Sequence, residues 1–304
     1  MKATVDVIIP VYKPDHKLKE LLISLQNQEY PVHKIIIMNT DKRYWVDSEY
    51  ARINNLTVRH IEKKNFDHGG TRRQAAALSS ADFMVLMTQD AIPADERLIL
   101  ELMKPFSDPF VSVSYARQLP YKKSNAIEKF TRNYNYPDVD IMKTKVDIDR
   151  MGIKAFFSSD VCAAYRKSDY LDLGGFIAKA IFNEDMIFAA KAILSGKAVF
   201  YASKAQVYHS HNYDSIELFQ RNFDLGVSQS ENPEIFAKIK SESEGIKLVK
   251  KTASHLISIF KPYLLPKLII NSGFKYLGYK LGYNYKKLPK SLILKFTSNK
   301  AYWE

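Results

Sequence analysis

The feature that most limits what this chain can become is a run from Val5 to Val11 that is apolar apart from Asp6, closed by Pro10 and Pro14. A strand with no polar alternation is buried on both faces. Such strands belong in a mostly parallel sheet covered by helices. The next segments keep that pattern. Lys17 to Gln28 carries Leu18, Leu21, Leu22 and Leu25 at helical spacing, Lys34 to Met38 reads as a second buried strand, and Thr71 to Leu78 as a short helix. Phe83 to Met87 is a third strand and Arg97 to Met103 another helix. In an open α/β sheet of this order, ligands bind at the carboxyl ends of the strands. Gln118 to Arg150 lacks periodicity and reads as a long loop with partial helix, helping to form a substrate cleft. Beyond it the spacing predicts a strand around Ala155 to Phe157, a turn at Gly174-Gly175 and a helix from near Asn183 to just before Gly196. Two short strands come next, Ala198 to Tyr201 and Gln206 to Tyr208.

Composition removes several classes. A chain of 304 residues that is 46% hydrophobic can bury a full core. The single cysteine, Cys162, excludes an intrachain disulfide scaffold and a Cys-rich zinc site. Nothing at the N-terminus has the order of a signal peptide, so the reducing cytoplasm is the expected compartment. No stretch of roughly 18 apolar residues suggests a spanning helix. The net charge of +12 is concentrated at one end: Lys247 to Glu304 holds twelve Lys, no Arg and one acid, a net of +11. The first 246 residues are nearly neutral, with 33 basic and 32 acidic groups.

Four groups of residues have the chemistry of a site, and each has a structural alternative. Asp90 follows an apolar strand, where a carboxylate can bind a hard divalent cation and neutralise a diphosphate; the alternative is a solvated turn acid before Pro93. Glu184 and Asp185 open a helix after Asn183; one can take a proton from a hydroxyl, or both can serve the helix dipole. His209 and His211 leave a strand on the same side, as metal ligands or as a surface pair. His68-Gly69-Gly70-Thr71-Arg72-Arg73 offers a glycine turn, helix-start N–H groups and two guanidinium forks, an apt diphosphate cradle or a capped surface helix.

Taken together, from Val5 to about Gly226, the motifs resemble family 2 glycosyltransferases of the GT-A fold, and within them the bacterial rhamnosyltransferases. Asp6-Val7-Ile8-Ile9-Pro10-Val11-Tyr12 is similar to the family's opening strand, which implies that Pro10, Val11 and Tyr12 border the nucleotide base, with Asp41 in the region of the acid against it. Phe66-Asp67-His68-Gly69-Gly70-Thr71-Arg72 matches the rhamnosyltransferase motif, although Arg73 stands where Asn is usual. By that resemblance His68, Gly69, Gly70, Arg72, Arg73 and Gln89 belong to nucleotide-sugar binding. Thr88-Gln89-Asp90-Ala91 resembles the Asp-X-Asp metal motif, leaving Asp90 to hold Mn²⁺ or Mg²⁺ with His209 or His211. Asn183-Glu184-Asp185 matches the catalytic Glu-Asp pair with Asp185 as base, and the stretch from Phe157 to Gly175 implies Asp160 and Arg166 at the acceptor.

The resemblance implies a Rossmann-like, mostly parallel central sheet flanked by helices, with a C-terminal, basic, amphipathic helical extension. Residues 1–230 would form the catalytic domain, with a nucleotide half to about 117 and an acceptor half from 118, and 231–304 the extension. The implied activity is inverting, metal-dependent transfer of L-rhamnose from dTDP-β-L-rhamnose to a polyprenyl-diphosphate-linked saccharide, in cell-wall polysaccharide or O-antigen assembly. A UDP-hexose transferase, or a non-catalytic protein binding membrane or nucleic acid, is the competing expectation. Along the tail, Val249, Ala253, Leu256, Ile257 and Phe260 form one stripe, and Phe274, Leu277 and Leu281 another, with Lys and Tyr beside them. Pro262, Pro266 and Pro289 cut the run into pieces too short to span a bilayer. The stripes therefore either lie on the inner face of an anionic cytoplasmic membrane or pack on the domain or on a second subunit. The absence of Arg from the tail argues against nucleic acid.

Overall fold

The computed structural model describes residues 3–236 and 242–303. Its strands are β1 (Val5–Tyr12), β2 (Lys34–Thr40), β3 (Leu56–Ile61), β4 (Phe83–Met87), β5 (Ile92–Pro93), β6 (Val111–Leu119), β7 (Ile141–Lys143), β8 (Cys162–Arg166) and β9 (Ala198–Tyr208). The helices are α1 (His16–Gln26), α2 (Asp47–Tyr50), α3 (His68–Leu78), α4 (Leu98–Met103), α5 (Ala126–Asn135), α6 (Ile148–Met151) and α7 (Lys167–Asp172). They continue with α8 (Glu184–Leu194), α9 (Ser215–Glu231), α10 (Pro233–Phe236), α11 (Glu242–Ser258), α12 (Leu265–Tyr283) and α13 (Lys290–Phe296). The chain forms two compact units. The first comprises the residues up to Leu119, Pro137–Lys179 and Glu184–His209; the second comprises Pro120–Tyr136, Ala180–Asn183 and the described residues from Ser210 onward.

All nine strands lie in one mixed sheet in the first unit, ordered β3-β2-β1-β4-β8-β6-β9-β5, with β7 also paired to β9. Strands β1 to β4 are mutually parallel and β6 is parallel to β9, whereas β8 runs against both of its neighbours. The expectation of an α/β sheet flanked by helices holds, and the sheet is mixed. Val5, Val7, Ile9 and Val11 pack on one face with Leu18, Leu21, Leu22 and Leu25 of α1, each such burial contributing about 2 kcal/mol. The alternate Ile8 and Ile36 are equally buried, and α3 lies against β1 and β2.

Several details differ from the sequence reading. Residues 118–150 are more ordered than a loop: β6 runs to Leu119, α5 is capped by Asn125, whose side chain accepts from the Glu128 amide at 3.0 Å, and β7 and α6 come after it. The strand expected around Ala155 to Phe157 is a short 3-10 helix, Gly152–Phe156, and the strand of that region is β8. The two strands expected between Ala198 and Tyr208 are one, and its pairing with β6 jumps from Ala116↔Ala202 to Arg117↔Gln206. A bulge accommodates the polar Ser203 and Lys204 that made the sequence look broken there.

In the second unit the dominant packing is α9 on α12. The two backbones touch through Gly226, Gly278 and Gly282. A methyl at Gly278 would strike the Phe219 carbonyl, one at Gly282 the Phe223 carbonyl, and one at Gly226 the Tyr279 carbonyl. The buried Asp224 of α9 then ties down the chain after α13, accepting from the Thr297 hydroxyl at 2.6 Å and the Ser298 amide at 2.9 Å. Rigid backbone atoms cannot yield to an added carbon, so Gly282→Ala should lose about 1–3 kcal/mol or more. The expected readout is a lower Tm in calorimetry, and an unchanged Tm would mean that the helices can separate freely.

Candidate functional site

The sheet topology determines which side chains meet. The carboxyl ends of β1, β4, β6 and β9 share one edge of the sheet. Because β8 is reversed, its amino end reaches that edge too. Tyr12, Asp90, Gln118 and His209 therefore come from carboxyl ends, while Ser159 and Asp160 come from the segment entering β8.

Pro10, Val11 and Tyr12 finish β1, and the Gln89 amide closes a two-way link with Tyr12, accepting from its N–H at 2.9 Å and donating to its carbonyl at 3.1 Å. This sets the path of the turn that carries Asp90. The Asp90 Oδ2 lies 3.7 Å from His209 Nε2. Gln118 orients that ring: its Nε2 donates to Ser159 Oγ at 2.9 Å, which leaves its Oε1 to accept from His209 Nδ1 at 3.0 Å. With the proton held on Nδ1, Nε2 turns its lone pair toward the Asp90 carboxylate. Either a protonated ring or a shared cation reconciles those two bases, and a carboxylate with an oriented neutral imidazole is a donor set that suits Mn²⁺ or Mg²⁺. His211 falls in the second unit, where it stacks on Tyr213 with ring centroids 4.8 Å apart.

Beside this pair is a buried charge cluster. Asp67 caps α3, accepting from the Gly70 amide at 2.6 Å, and a side chain at Gly70 would collide with the Ala178 carbonyl at 2.6 Å. Gly69 and Gly70 are buried, and the tight start they permit aims Arg72 inward, where it is 5% exposed. Its guanidinium lies 3.2 Å from Asp160 and 3.1 Å from Glu184, with His68 Nδ1 at 4.0 Å from Glu184. Asp160 also receives the Tyr165 hydroxyl at 2.5 Å, and its own amide donates to Asp185 at 3.0 Å. Burial would lower the Arg72 pKa, yet Glu184, Asp160 and Asp185 raise it on balance. Burial and the Asp185 charge push Asp160 well above the usual carboxylate range.

Of the acids in the cluster, Asp185 alone is partly accessible, whereas Glu184 is 5% and Asp160 3% exposed. Burial first, and then the adjacent Glu184, push the Asp185 pKa up to about 7, against the amides of Asp160 and Met186. A carboxylate poised near neutrality is suited to accept a proton from a hydroxyl.

Other residues expected at the site are occupied elsewhere. Arg73 donates through Nη1 to the carbonyls of Gly174 and Phe176 at 3.0 and 2.9 Å, and Arg72 is engaged by Asp160 and Glu184, so Arg72 presents no free fork to a diphosphate. Asp41, held at φ 70°, is clasped through both oxygens by Arg43, which keeps its pKa below the ordinary value. Arg166 does not reach the site. It pairs with Phe83 at the far end of β4, about 14 Å of strand from Met87, and clamps the carbonyls of Phe106, Asp108 and Val111. The acceptor role expected for Arg166 is corrected to a structural one, because β8 runs antiparallel. Gln118, not foreseen from the sequence, orients His209; it ends a strand that the sequence reading took for the start of a loop.

Comparison with known proteins agrees with this geometry. The sequence model of glycosyl transferase family 2 matches residues 6–174. The chain is 37% identical over its whole length to the O-antigen chain rhamnosyltransferase RfbN of Salmonella typhimurium, covering 96% of that protein. It is 36% identical to WbaN of Salmonella anatum, another O-antigen chain rhamnosyltransferase, over 98% of this chain and 95% of the relative. In fold it is similar to the mannosyltransferase PcManGT of Pyrobaculum calidifontis, solved with GDP-Man and Mn²⁺ (TM-score 0.58, 16% identity, 97% of this chain and 79% of that one). It is likewise similar to Staphylococcus aureus TarS with UDP-GlcNAc (TM-score 0.54, 14% identity, 93% and 91% covered).

The raised Asp185 pKa has a consequence for stability. In an unfolded chain Asp ionises near pH 3.9, and in the folded protein only near pH 7. Between those values folding takes up a proton, so the contribution of this group to stability falls as pH rises and is lost above about 7. Asp185→Asn should therefore raise Tm at pH 8, by about 3 °C or more, and much less at pH 5. Equal shifts at both pH values in differential scanning calorimetry would contradict the assignment.

Proposed function

Since the chain belongs to glycosyltransferase family 2, we propose that it transfers L-rhamnose, with inversion, from dTDP-β-L-rhamnose to a hydroxyl of a lipid-linked saccharide in O-antigen or related cell-wall polysaccharide assembly. The observation that carries this reading is the whole-length identity to two O-antigen chain rhamnosyltransferases. The site geometry supports it. Asp185 takes the proton of the acceptor hydroxyl as that oxygen attacks the anomeric carbon from the face opposite the nucleotide. The bond from the anomeric carbon to the diphosphate oxygen breaks, its electrons leave with dTDP, and a β-linked donor gives an α-linked product. The amides of Asp160 and Met186 hold the Asp185 carboxylate, and Arg72 fixes Asp160 and Glu184 beside it. Asp90 and His209 would hold a divalent ion, Mn²⁺ or Mg²⁺, which would supply positive charge against the diphosphate. Tyr12, with the Lys13 and Lys63 ammonium groups 5.4 and 5.7 Å from its ring, offers a surface for the base.

The test uses nucleotides and variants. In a thermal-shift assay with Mn²⁺, dTDP should stabilise the protein more than UDP, and Asp90→Asn should remove the metal-dependent part of the shift. Asp185→Asn should still bind dTDP while transfer falls by about 10²–10⁴. A larger shift with UDP would redirect the donor assignment to a UDP-hexose, and near-normal transfer by Asp185→Asn would remove it as the base.

We also infer a place on the membrane surface. Among the described residues no helix is long and apolar enough to cross a membrane. The second unit nevertheless exposes Ile257 and Phe260 by 58% and 90%, and Ile269, Ile270 and Leu277 of α12 by more than half, alongside lysines worth about 1 kcal/mol each at an anionic surface. Ile270→Glu combined with Leu277→Glu should reduce co-sedimentation with phosphatidylglycerol vesicles at least tenfold. Equal sedimentation of variant and parent, or none by the parent, would remove the membrane from the reading.

A further inference from the structure

A concavity lies wholly within the second unit. It has a volume of about 910 Å³, walled by α5, α9, α11 and α12. That is near the top of the range of roughly 300–1,000 Å³ for small-ligand sites, which in helical proteins form between helices. Its lining surface is mostly apolar, with Ile127, Leu218, Leu225, Val249 and Leu268 from four helices, and side-chain amides such as Asn222 and Asn271 stand among them. Its charged lining is one-sided: Lys123, Lys250, Lys267 and Lys275 against a single carboxylate, Glu128, which Arg132 already engages at 2.7 Å.

Lys275 is the most telling of these. Its exposed surface faces the cavity. Yet protein packed around its amine lowers the pKa, with Glu128 opposing and Arg132 adding to the effect. A cationic group so placed gains from an anion that enters with it. Aliphatic walls gain from a hydrocarbon that displaces water. An amphiphile with an apolar chain and an anionic head meets both demands. A neutral oligosaccharide or a neutral hydrocarbon would leave the lysines unanswered.

We propose that this cavity receives the prenyl chain and phosphate of a polyprenyl phosphate carrier, the apolar part of the lining taking the first isoprene units and lysines of the lining, Lys275 among them, the phosphate oxygens. This rests on the reading of the acceptor as a lipid-linked saccharide. Ile246 and Tyr276, which line the cavity, are themselves 59% and 52% exposed, so the cavity opens to the surface through residues of α11 and α12. Those two helices also carry the exposed apolar side chains assigned to the membrane. A carrier lipid could thus enter the cavity from a bilayer.

The experiment is calorimetric titration of the full chain with geranylgeranyl monophosphate below its micelle concentration, beside inorganic phosphate, geranylgeraniol and phosphatidylglycerol nanodiscs. The expected result is saturable binding of geranylgeranyl monophosphate at least tenfold tighter than phosphate or geranylgeraniol. Lys275→Gln should weaken it at least fivefold. Leu225→Trp and Ile127→Trp, which fill the cavity from different helices, should abolish it while dTDP binding stays at the parent value. No saturable binding, equal affinity for the alcohol, equal competition by the nanodiscs, or unchanged binding in both Trp variants would overturn the proposal. Loss of dTDP binding with prenyl phosphate binding intact would count against the donor reading alone.

Discussion

One buried guanidinium holds the candidate site together. Arg72 is 5% exposed and lies within 3.2 Å of carboxylates from two separate segments, Asp160 before β8 and Glu184 at the start of α8. Asp185 makes a third acid in the same cluster. A single positive charge cannot neutralise three carboxylates in a medium of low dielectric, so protons must be retained somewhere in the group. Asp160 and Asp185 are the two pushed upward, and only Asp185 has access to solvent. The proton-accepting property proposed for Asp185 is therefore a result of packing: removing Arg72 would leave its neighbours uncompensated, and such a loss typically costs about 3–5 kcal/mol.

The cluster in turn depends on the direction of one strand. Were β8 parallel to β4, Ser159 and Asp160 would lie at the opposite edge of the sheet from Asp90, and Arg166 would take their place. As it is, the amino end of β8 brings Asp160 to Arg72 and Ser159 to Gln118, and through Gln118 the same segment sets the ring of His209. The base cluster and the pair of candidate metal ligands are coupled by one short stretch of chain. A shift in that stretch would disturb both at once.

How much of this could be read from the sequence depends on the range of each interaction. Strand β4 is apolar throughout, β1 is apolar but for Asp6 and β2 carries the apolar run Ile35 to Met38, while α1, α3, α4 and α8 carry local periodicity or caps, so these elements were visible. Strand β3 was missed because it is only half covered and alternates Leu56, Thr57, Val58 and Arg59 without a buried run. The motif residues Asp67 to Arg72, Asp90 and Asp185 were legible as chemistry, but not as partners. Arg72 reads as a phosphate-binding fork at a helix start; what turns it inward is a pair of acids 88 and 112 positions later. Strand direction leaves no mark in composition or period, and for that reason Arg166 was placed at the wrong edge.

The cationic tail gives the same lesson on a larger scale. Its stripes suggested one apolar face, to be given either to a membrane or to protein. In the structure the apolar residues divide. Leu256 and Leu268 point into the second unit, and Gly278 and Gly282 admit the backbone of α9, while Ile257, Phe260, Ile270 and Leu277 face outward. A helix that is apolar on two sides needs two partners, because water does not repay the exposure of the second face. Protein supplies the inner one. Lys280 belongs to the same helix and Lys286, Lys287 and Lys290 follow it in the chain, with no acid between Lys247 and Tyr302 to offset them. A partner that is both apolar and anionic satisfies that surface, and the lysine-lined cavity between the same helices makes the same demand on a smaller scale.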